Sequence, residues 1–314
     1  MEIFILIIPL FIIFLVAVSL CFAIFKKWKI SVLILIFAYA MNLYGEVFPF
    51  YPFSSSLKVN DGELISVMAF NIHGPGERFD ERIEGIVKII EKENPDVLFL
   101  SEAVSSHRLY KERLDSILSD KFLYSSDKDK RPWGNVFYSK FPIDTFCIID
   151  ITIGHSQPLM AINVGGKKLN LLGCHLSSNN YFDSKIKMEV DSVSNKGDVK
   201  RYIKSIEKGY EARRQDVDSI CTQLSNVEKS QLIILGDMND IGGSYTIRKL
   251  ESLGMRDAWW NAGFGLGGTR DVLSIPFRID HILYGDSLEL AEVNVINADG
   301  LSDHNAISAK FCIK

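Results

Sequence analysis

The sequence predicts an α/β domain of two packed β-sheets with helices on the outer faces, preceded by an N-terminal transmembrane helical hairpin. Three observations predict it. Beyond residue 64, strand-like apolar runs outnumber helical ones, which favours packed sheets over a doubly wound parallel sheet. Near the start, Ile3 to Phe25 and Ile30 to Tyr44 are almost free of polar residues. Charge is segregated as well: the 314 residues carry net −4, yet residues 1–53 hold only Glu2, Lys26, Lys27, Lys29 and Glu46. Removing those three lysines and two glutamates from 35 basic and 39 acidic residues leaves 32 and 37, so residues 54–314 have net −5. That remainder is long enough for a sizeable core, and its composition excludes disorder, collagen and coiled coil. The five cysteines lack any CxxC or metal-type spacing, so no disulfide framework or zinc site is signalled. Cys174, in an apolar run, reads as a buried thiol.

The elements follow in order. A bilayer core of ~30 Å takes roughly 20 apolar residues, and Ile3 to Phe25 supplies 23. The second run meets Asn42 and Glu46, so it crosses with Tyr44 and Phe48 at the interface. The start Met1-Glu2 lacks a basic region, which argues against a cleavable signal peptide. Lys26, Lys27 and Lys29 lie between the runs, and lysine-rich short loops stay cytoplasmic. A hairpin with its tip inside puts the globular part outside the cytoplasm; a single crossing reverses this. Residues 1–53 are thus the expected membrane segment, 54–63 a Pro- and Ser-flanked linker, and 64–314 the globular domain.

In that domain Leu64 to Asn71 is strand-like, Phe79 to Glu93 has helical spacing at Ile83, Ile86, Val87 and Ile90, and Val97 to Ser101 follows Pro95 as a second strand. Further strands are expected at Gly134 to Tyr138, Thr145 to Ile153, Leu159 to Asn163, Leu169 to His175, Gln231 to Gly236, Ile279 to Tyr284, Leu290 to Val295 and Asn305 to Phe311. Helices are expected at Lys200 to Leu224 and Tyr245 to Leu253, with a polar excursion over Asn179 to Lys208. Trp259 and Trp260 read as core; His107 and His155 read as surface or core fillers.

The polar residues fall where the strands end. Asn71, Glu102, His175, Asp237 with Asn239, Asp280 with His281, and Asp303 with His304 each terminate or open an apolar strand. A single such residue is an ordinary turn former. Six stations at one sheet edge form a chemical set. Carboxylates plus an amide are hard oxygen ligands suited to Mg²⁺ or Mn²⁺, and an Asp beside a His orients an imidazole. Together they suit metal-assisted hydrolysis of a phosphate ester. The HExxH of zinc peptidases and the GxSxG of serine hydrolases are absent.

The succession Phe70-Asn71-Ile72, Leu100-Ser101-Glu102, Gly134-Asn135 with Ser139-Lys140-Phe141-Pro142, Cys174-His175-Leu176, Gly236-Asp237-Met238-Asn239, Arg278-Ile279-Asp280-His281 and Ser302-Asp303-His304-Asn305 resembles the endonuclease/exonuclease/phosphatase superfamily, in its order, from Leu64 to Phe311. The resemblance implies a four-layer α/β/β/α sandwich and Mg²⁺-dependent phosphoester cleavage. It also implies roles: Glu102 and Asn71 at the metal, with Asp303 a second contact, and Asp237 at the attacking water. Asn239 and His175 would sit on phosphoryl oxygens, with His304, oriented by Asp280, the acid/base partner. One departure is His73, where nuclease members often carry an acidic residue. Arg213, Thr269 and Asn135 are weaker candidates for contacting substrate.

Two features bear on the substrate. Net −5 and the lack of a basic run beyond pairs such as Lys128, Lys130 and Arg131 disfavour nucleic acid. A membrane tether concentrates an enzyme at substrates in the bilayer surface. The architecture is similar to bacterial membrane-anchored members proposed to act on lipid carriers, so the expected substrate is a lipid-linked phosphate, with a tethered nuclease as runner-up and a non-catalytic binding module as a minor alternative. No protein partner is expected.

Overall fold

The computed structural model describes residues 3–49, 62–74, 79–103, 108–126, 134–151, 156–178, 196–272 and 274–314. The expected linker falls almost wholly outside these residues, as do His107, His155, Lys128, Lys130, Arg131 and the first part of the polar excursion.

Two helices, α1 (Ile3–Ile24) and α2 (Trp28–Gly45), pack as an antiparallel hairpin, with the Ser19 hydroxyl donating to the Ser31 carbonyl at 3.0 Å between them. Both are long and apolar enough to cross a membrane, and most large side chains along them, such as Phe14, Leu20, Leu33 and Phe37, are exposed.

The first sheet contains β1 (Glu63–Asn71), β2 (Val97–Ser101), β3 (Tyr124–Ser125), β4 (Val136–Ser139), β13 (Leu288–Ile296) and β14 (Ala306–Ile313), in the order β13-β14-β1-β2-β4-β3. The second contains β5 (Ile143–Ile149), β6 (Gln157–Val164), β7 (Lys167–His175), β8 (Leu232–Asp237), β9 (Arg256–Asp257) and β12 (Asp280–Tyr284), in the order β5-β6-β7-β8-β12-β9. A short hairpin, β10 (Arg270–Val272) with β11 (Ile275–Phe277), stands apart from both.

Strand alternation sorts side chains into three interiors. On β1, Val67 and Ala69 join Phe99, Phe137, Met160, Leu171, Leu235 and Ile282 between the sheets. Met68 and Phe70 point the other way, onto Ile83, Ile86 and Ile90 of α3 (Phe79–Glu93) and Leu114 and Leu118 of α4 (Arg108–Leu118). Behind the second sheet, Leu172, Cys174 and Ile234 pack on Val217 and Ile220 of α5 (Lys196–Gln223) and Ile247 and Leu250 of α6 (Tyr245–Glu251). Covered on both faces, the central strands are continuously apolar in place of alternating. The result is the four-layer α/β/β/α sandwich the sequence predicted.

The differences from expectation have physical reasons. The helix α4 was not anticipated because its sequence is a charged stretch; among the described side chains Leu114 and Leu118 are its buried ones. Lys196 to Lys208 is helical and extends α5 backwards into the expected excursion. Trp259, 8% exposed, belongs to the inter-sheet core, and Cys174 is fully buried, as expected. Trp260 is only partly buried.

Candidate active site

Register assembles the site. Across the second sheet His175 pairs with Asp237, and Asp237 with Asp280, so β7, β8 and β12 deliver three polar residues in one row. In the facing sheet Asn71 pairs with Ser101, which puts Glu102 beside the end of β1. Gly236 makes the row fit: its φ is +130°, and a Cβ there would meet the Cys174 carbonyl oxygen at 2.1 Å. Glu102 and Asn239 adopt left-handed backbone, φ +55° and +51°, a conformation uncommon for residues with side chains and concentrated at functional sites.

The Asn71 amide ties the two sheets together. Its Nδ2 donates to Glu102 Oε1 and to Asp237 Oδ2, each at 3.0 Å, while its Oδ1 accepts the His73 N–H at 3.0 Å. His175 Nε2 stands 3.5 Å from Glu102 Oε1 and 3.9 Å from Asp237 Oδ2. On the other side His304 Nε2 lies 3.7 Å from Asp237 Oδ2, and its Nδ1 is 2.8 Å from Asp280 Oδ2. Asn239 receives its place from Asp237, which accepts its N–H at 2.8 Å, and from the Leu176 carbonyl, which accepts its side-chain amide. His73 Nδ1 lies 3.5 Å from Asp303 Oδ1 and 3.6 Å from Glu102 Oε2, so the eight residues expected as catalytic or metal-holding, Asn71, Glu102, His175, Asp237, Asn239, Asp280, Asp303 and His304, end at one edge of the sandwich.

Burial grades the site. Asp237, Asp280 and His304 are almost fully buried, whereas Glu102 and Asp303 are about a third exposed at 34% and 35%. Burial, then the nearby Asp280 charge, push the Asp237 carboxyl up against the lowering pull of His304. Burial opposes charge on His304, but Asp280 and Asp237 outweigh it and lift the imidazole to about 9. Partial burial raises Glu102, but a His73 hydrogen bond, the His175 charge and the Asn71 amide hold it at about 2.

Asp237, Asp280 and His304 offer three ligand-type atoms within 4.8 Å of one another. That trio surrounds an imidazole hydrogen-bonded to Asp280, its pKa raised by both carboxylates, and a protonated imidazole has no lone pair to give a metal. The mouth suits one better: Glu102 and Asp303 are hard oxygen donors, and the Asn71 Oδ1 keeps a second lone pair. These residues fit the divalent ion that the family uses.

Because the His304 pKa is raised from 6.5 in the unfolded chain, its stabilisation is full below about pH 6.5 and is lost as pH rises through about 9. In EDTA the unfolding free energy is expected to fall by on the order of 2 kcal/mol between pH 7 and 9.5, and the thermal midpoint to fall with it. His304→Gln should flatten that slope; an equally steep profile in the variant would remove His304 as its cause.

Three expected substrate contacts are corrected. Arg213 is 1% exposed, donating to the Ser177 carbonyl and the Asp240 carboxylate, so it buttresses loops from behind the site. Thr269 is fully buried, and its hydroxyl accepts the Ile279 and Asp280 N–H groups, which holds Asp280. Asn135 is buried beneath Gln157, whose side chain brackets the His175 backbone by accepting its N–H and donating to its C=O, each at 2.8 Å. Each of the three is buried, and the bonds it makes are to groups that support the site.

Sequence reasoning missed other supports. Arg270 donates to Asp303 Oδ2 at 2.8 Å. Arg82 on α3 donates to the Ile72, Gly74 and Leu301 carbonyls and clamps two site loops. Ser302 donates to the Asn71 carbonyl and accepts the His304 N–H, which accounts for the serine of the terminal motif. Arg82 has no sequence signal, because its partners are backbone atoms far along the chain. Ser302 was visible in the motif.

Known proteins share this fold. A 122-residue stretch is 30% identical to a 5'-tyrosyl-DNA phosphodiesterase of Caenorhabditis briggsae, covering 37% of this chain and 34% of that protein, so the match spans about a third of the curated relative. The crystal structure of TDP2 from C. elegans superposes with a TM-score of 0.58 at 21% identity, over 81% of this chain and 77% of that one. A Bacteroides thetaiotaomicron endonuclease/exonuclease/phosphatase family protein superposes with a TM-score of 0.59 at 13% identity, over 81% and 100%. Residues 68–304 match the Endonuclease/Exonuclease/phosphatase family, and with that match over most of its length the chain belongs to this family of metal-dependent phosphoesterases and nucleases.

Proposed function

We propose that the protein is a membrane-anchored, Mg²⁺- or Mn²⁺-dependent hydrolase of a lipid-linked phosphate or diphosphate. Glu102, Asp303 and Asn71 would hold the ion, which would supply Lewis-acid polarisation of the phosphoryl group when bound. Asp237 orients the attacking water and takes its proton as the new P–O bond forms. His175 and Asn239 donate to phosphoryl oxygens. His304, kept protonated by Asp280, gives its proton to the leaving oxygen as the ester P–O bond breaks.

One observation carries the membrane-surface reading: the apolar hairpin ends on the loop that follows Asn239. Ile8, Ile12 and Val47 pack on Ile241 and Ile279. Arg248 donates to the Tyr44 carbonyl at 2.6 Å and stacks over the Tyr44 ring. Gly242 and Gly243 lie so close to α2's end that a Cβ on Gly243 would meet the Tyr44 carbonyl oxygen at 2.7 Å. The exposed apolar flanks of the hairpin favour lipid around it. Residues 1–53 are the anchor and 64–314 the catalytic domain in this reading, with the domain outside the cytoplasm. A reporter active only in the cytoplasm, fused after Lys314, is expected to be silent; a signal overturns that topology.

A tethered nuclease is the second reading, favoured by the nematode tyrosyl-DNA phosphodiesterase similarity. A panel of vesicle-borne lipid phosphates, bis-p-nitrophenyl phosphate and plasmid DNA, each with Mg²⁺ and with EDTA, separates the two. Metal-dependent release of phosphate from lipid, well above DNA cleavage, is expected; preferred DNA cleavage gives the nuclease reading the site.

A further inference from the structure

Pairing of β6 with β7 runs from Val164 opposite Lys167 only to Leu159 opposite Leu172, whereas β6 stays paired with β5 as far as Gln157. Beyond Leu159 stands Pro158, which has no N–H to give a neighbouring strand. Backbone pairing with β6 therefore stops before His175 is reached. The Gln157 side chain takes over: its Oε1 accepts the His175 N–H and its Nε2 donates to the His175 C=O, each at 2.8 Å. A primary amide carries the same donor and acceptor as a peptide group, so a side chain continues the ladder. On the opposite side β8 holds the strand, with the Leu176 N–H donating to the Asp237 carbonyl at 3.0 Å. The fully buried Gln157 also reaches the other sheet, because its Oε1 accepts from Asn135 Nδ2 at 3.2 Å. Asn135 follows Gly134, whose carbonyl accepts the N–H of Ala103, the residue after Glu102, at 2.9 Å. One amide thus ties the His175 end of the second sheet to the Glu102 end of the first.

We infer that Gln157 is a positioning residue for the reaction, acting through His175 by fixing the strand end from which the imidazole reaches a phosphoryl oxygen. His175 Nε2 stands 3.5 Å from Glu102 Oε1 and 3.9 Å from Asp237 Oδ2, so a backbone shift here moves the donor relative to both carboxylates. Misplacing a group by about 1 Å costs up to roughly 10²-fold in rate. Packing alone would ask only for a side chain of this size, whereas placement needs the donor and the acceptor together. This rests on the reading that His175 donates to the phosphoryl group, for a lipid phosphate or a nucleic acid alike, and the experiment tells failure of the inference from failure of that reading.

The full chain in detergent is assayed with Mg²⁺ on whichever of vesicle-borne lipid phosphate, bis-p-nitrophenyl phosphate and plasmid DNA it turns over fastest, with folding followed by far-ultraviolet circular dichroism. Gln157→Met keeps the side-chain length and removes both polar groups. Gln157→Glu keeps shape and acceptor but loses the amide donor, and it is the second variant should Gln157→Met fail to fold. Each is combined with His175→Ala in a double-mutant cycle, which isolates the coupling between the two residues. Gln157→Met is expected to lower kcat by about 10- to 100-fold, with KM and the Mg²⁺ requirement nearly unaltered; Gln157→Glu should do the same to a smaller degree. His175→Ala, which removes one donor to the phosphoryl group, should cost about 10²- to 10³-fold. In that background either change at Gln157 should cost little more, because the group it places is gone. An unchanged kcat, a fall in kcat matched by a lost Mg²⁺ requirement, or losses that multiply in the double variants overturns the inference. Failure of both Gln157 variants to fold overturns it too, since Gln157 then serves the whole domain. If His175→Ala keeps full kcat, the reading of His175 itself is wrong, whatever Gln157 does.

Discussion

His304→Ala lowers kcat by about two to four orders of magnitude, the usual contribution of a positioned acid or base, with far-ultraviolet circular dichroism and metal affinity retained. The reason is positional and electrostatic. The imidazole is buried between Asp280, 2.8 Å from its Nδ1, and Asp237, 3.7 Å from its Nε2, and these carboxylates keep it protonated. Alanine removes that proton and leaves two buried carboxylates facing each other. Asp237→Asn should be comparably damaging, because an amide cannot take a proton from water. Asp280→Asn should cost less than either, since it alters the charge of His304 through one bond. Full activity in both His304→Ala and Asp237→Asn would sink the assignment of this edge as the reacting site.

Arg278→Ala destabilises the domain by about 3 to 5 kcal/mol, the cost of leaving a buried charge without its partner, and drops the thermal midpoint by roughly 10 °C. Asp257 is fully buried, and Arg278 NH1 and His281 Nδ1 lie 2.6 and 2.7 Å from its Oδ2. Burial opposes its charge; Arg278, then His281, overcome this and hold the carboxyl well below the usual range. The same carboxylate caps the helix Ala258–Ala262 through the Trp260 N–H, and His281 Nε2 reaches the Asp240 carbonyl in the loop after Asn239. Loss of Arg278 therefore unsettles a helix start and a site loop together. The double variant Arg278→Met with Asp257→Asn removes both charges and should recover most of the loss. A single variant that melts within 2 °C of the parent, at about 1 kcal/mol or less, contradicts this account.

Much of the fold was legible because the strands are buried on both faces. Val97 to Ser101 and Phe79 to Glu93 run over the bounds expected from their apolar spacing. Where the apolar signal is thin, expectation failed: α4 lies in a charged stretch, and the helical start of α5 reads as polar loop. The candidate site was legible for a related reason. Polar residues that close an apolar strand stand out against it, so Asn71, Glu102, His175, Asp237, Asp280 and the Asp303-His304 pair could be listed before any geometry was known.

By itself the sequence determined an apolar pair of helices, a two-sheet α/β domain and the polar strand ends, since hydrophobic periodicity and the chemistry of single residues are local properties. Tertiary structure decided which side chains face the opening. Arg213, Thr269 and Asn135 have the functional groups of substrate contacts, yet in the fold they are buried and hydrogen-bonded to backbone and side-chain groups of the protein. His73 went the other way, from a departure in a motif to a group 3.5 and 3.6 Å from two carboxylates. Those carboxylates lie at the ends of other elements, and only the register and packing of two sheets bring them within reach.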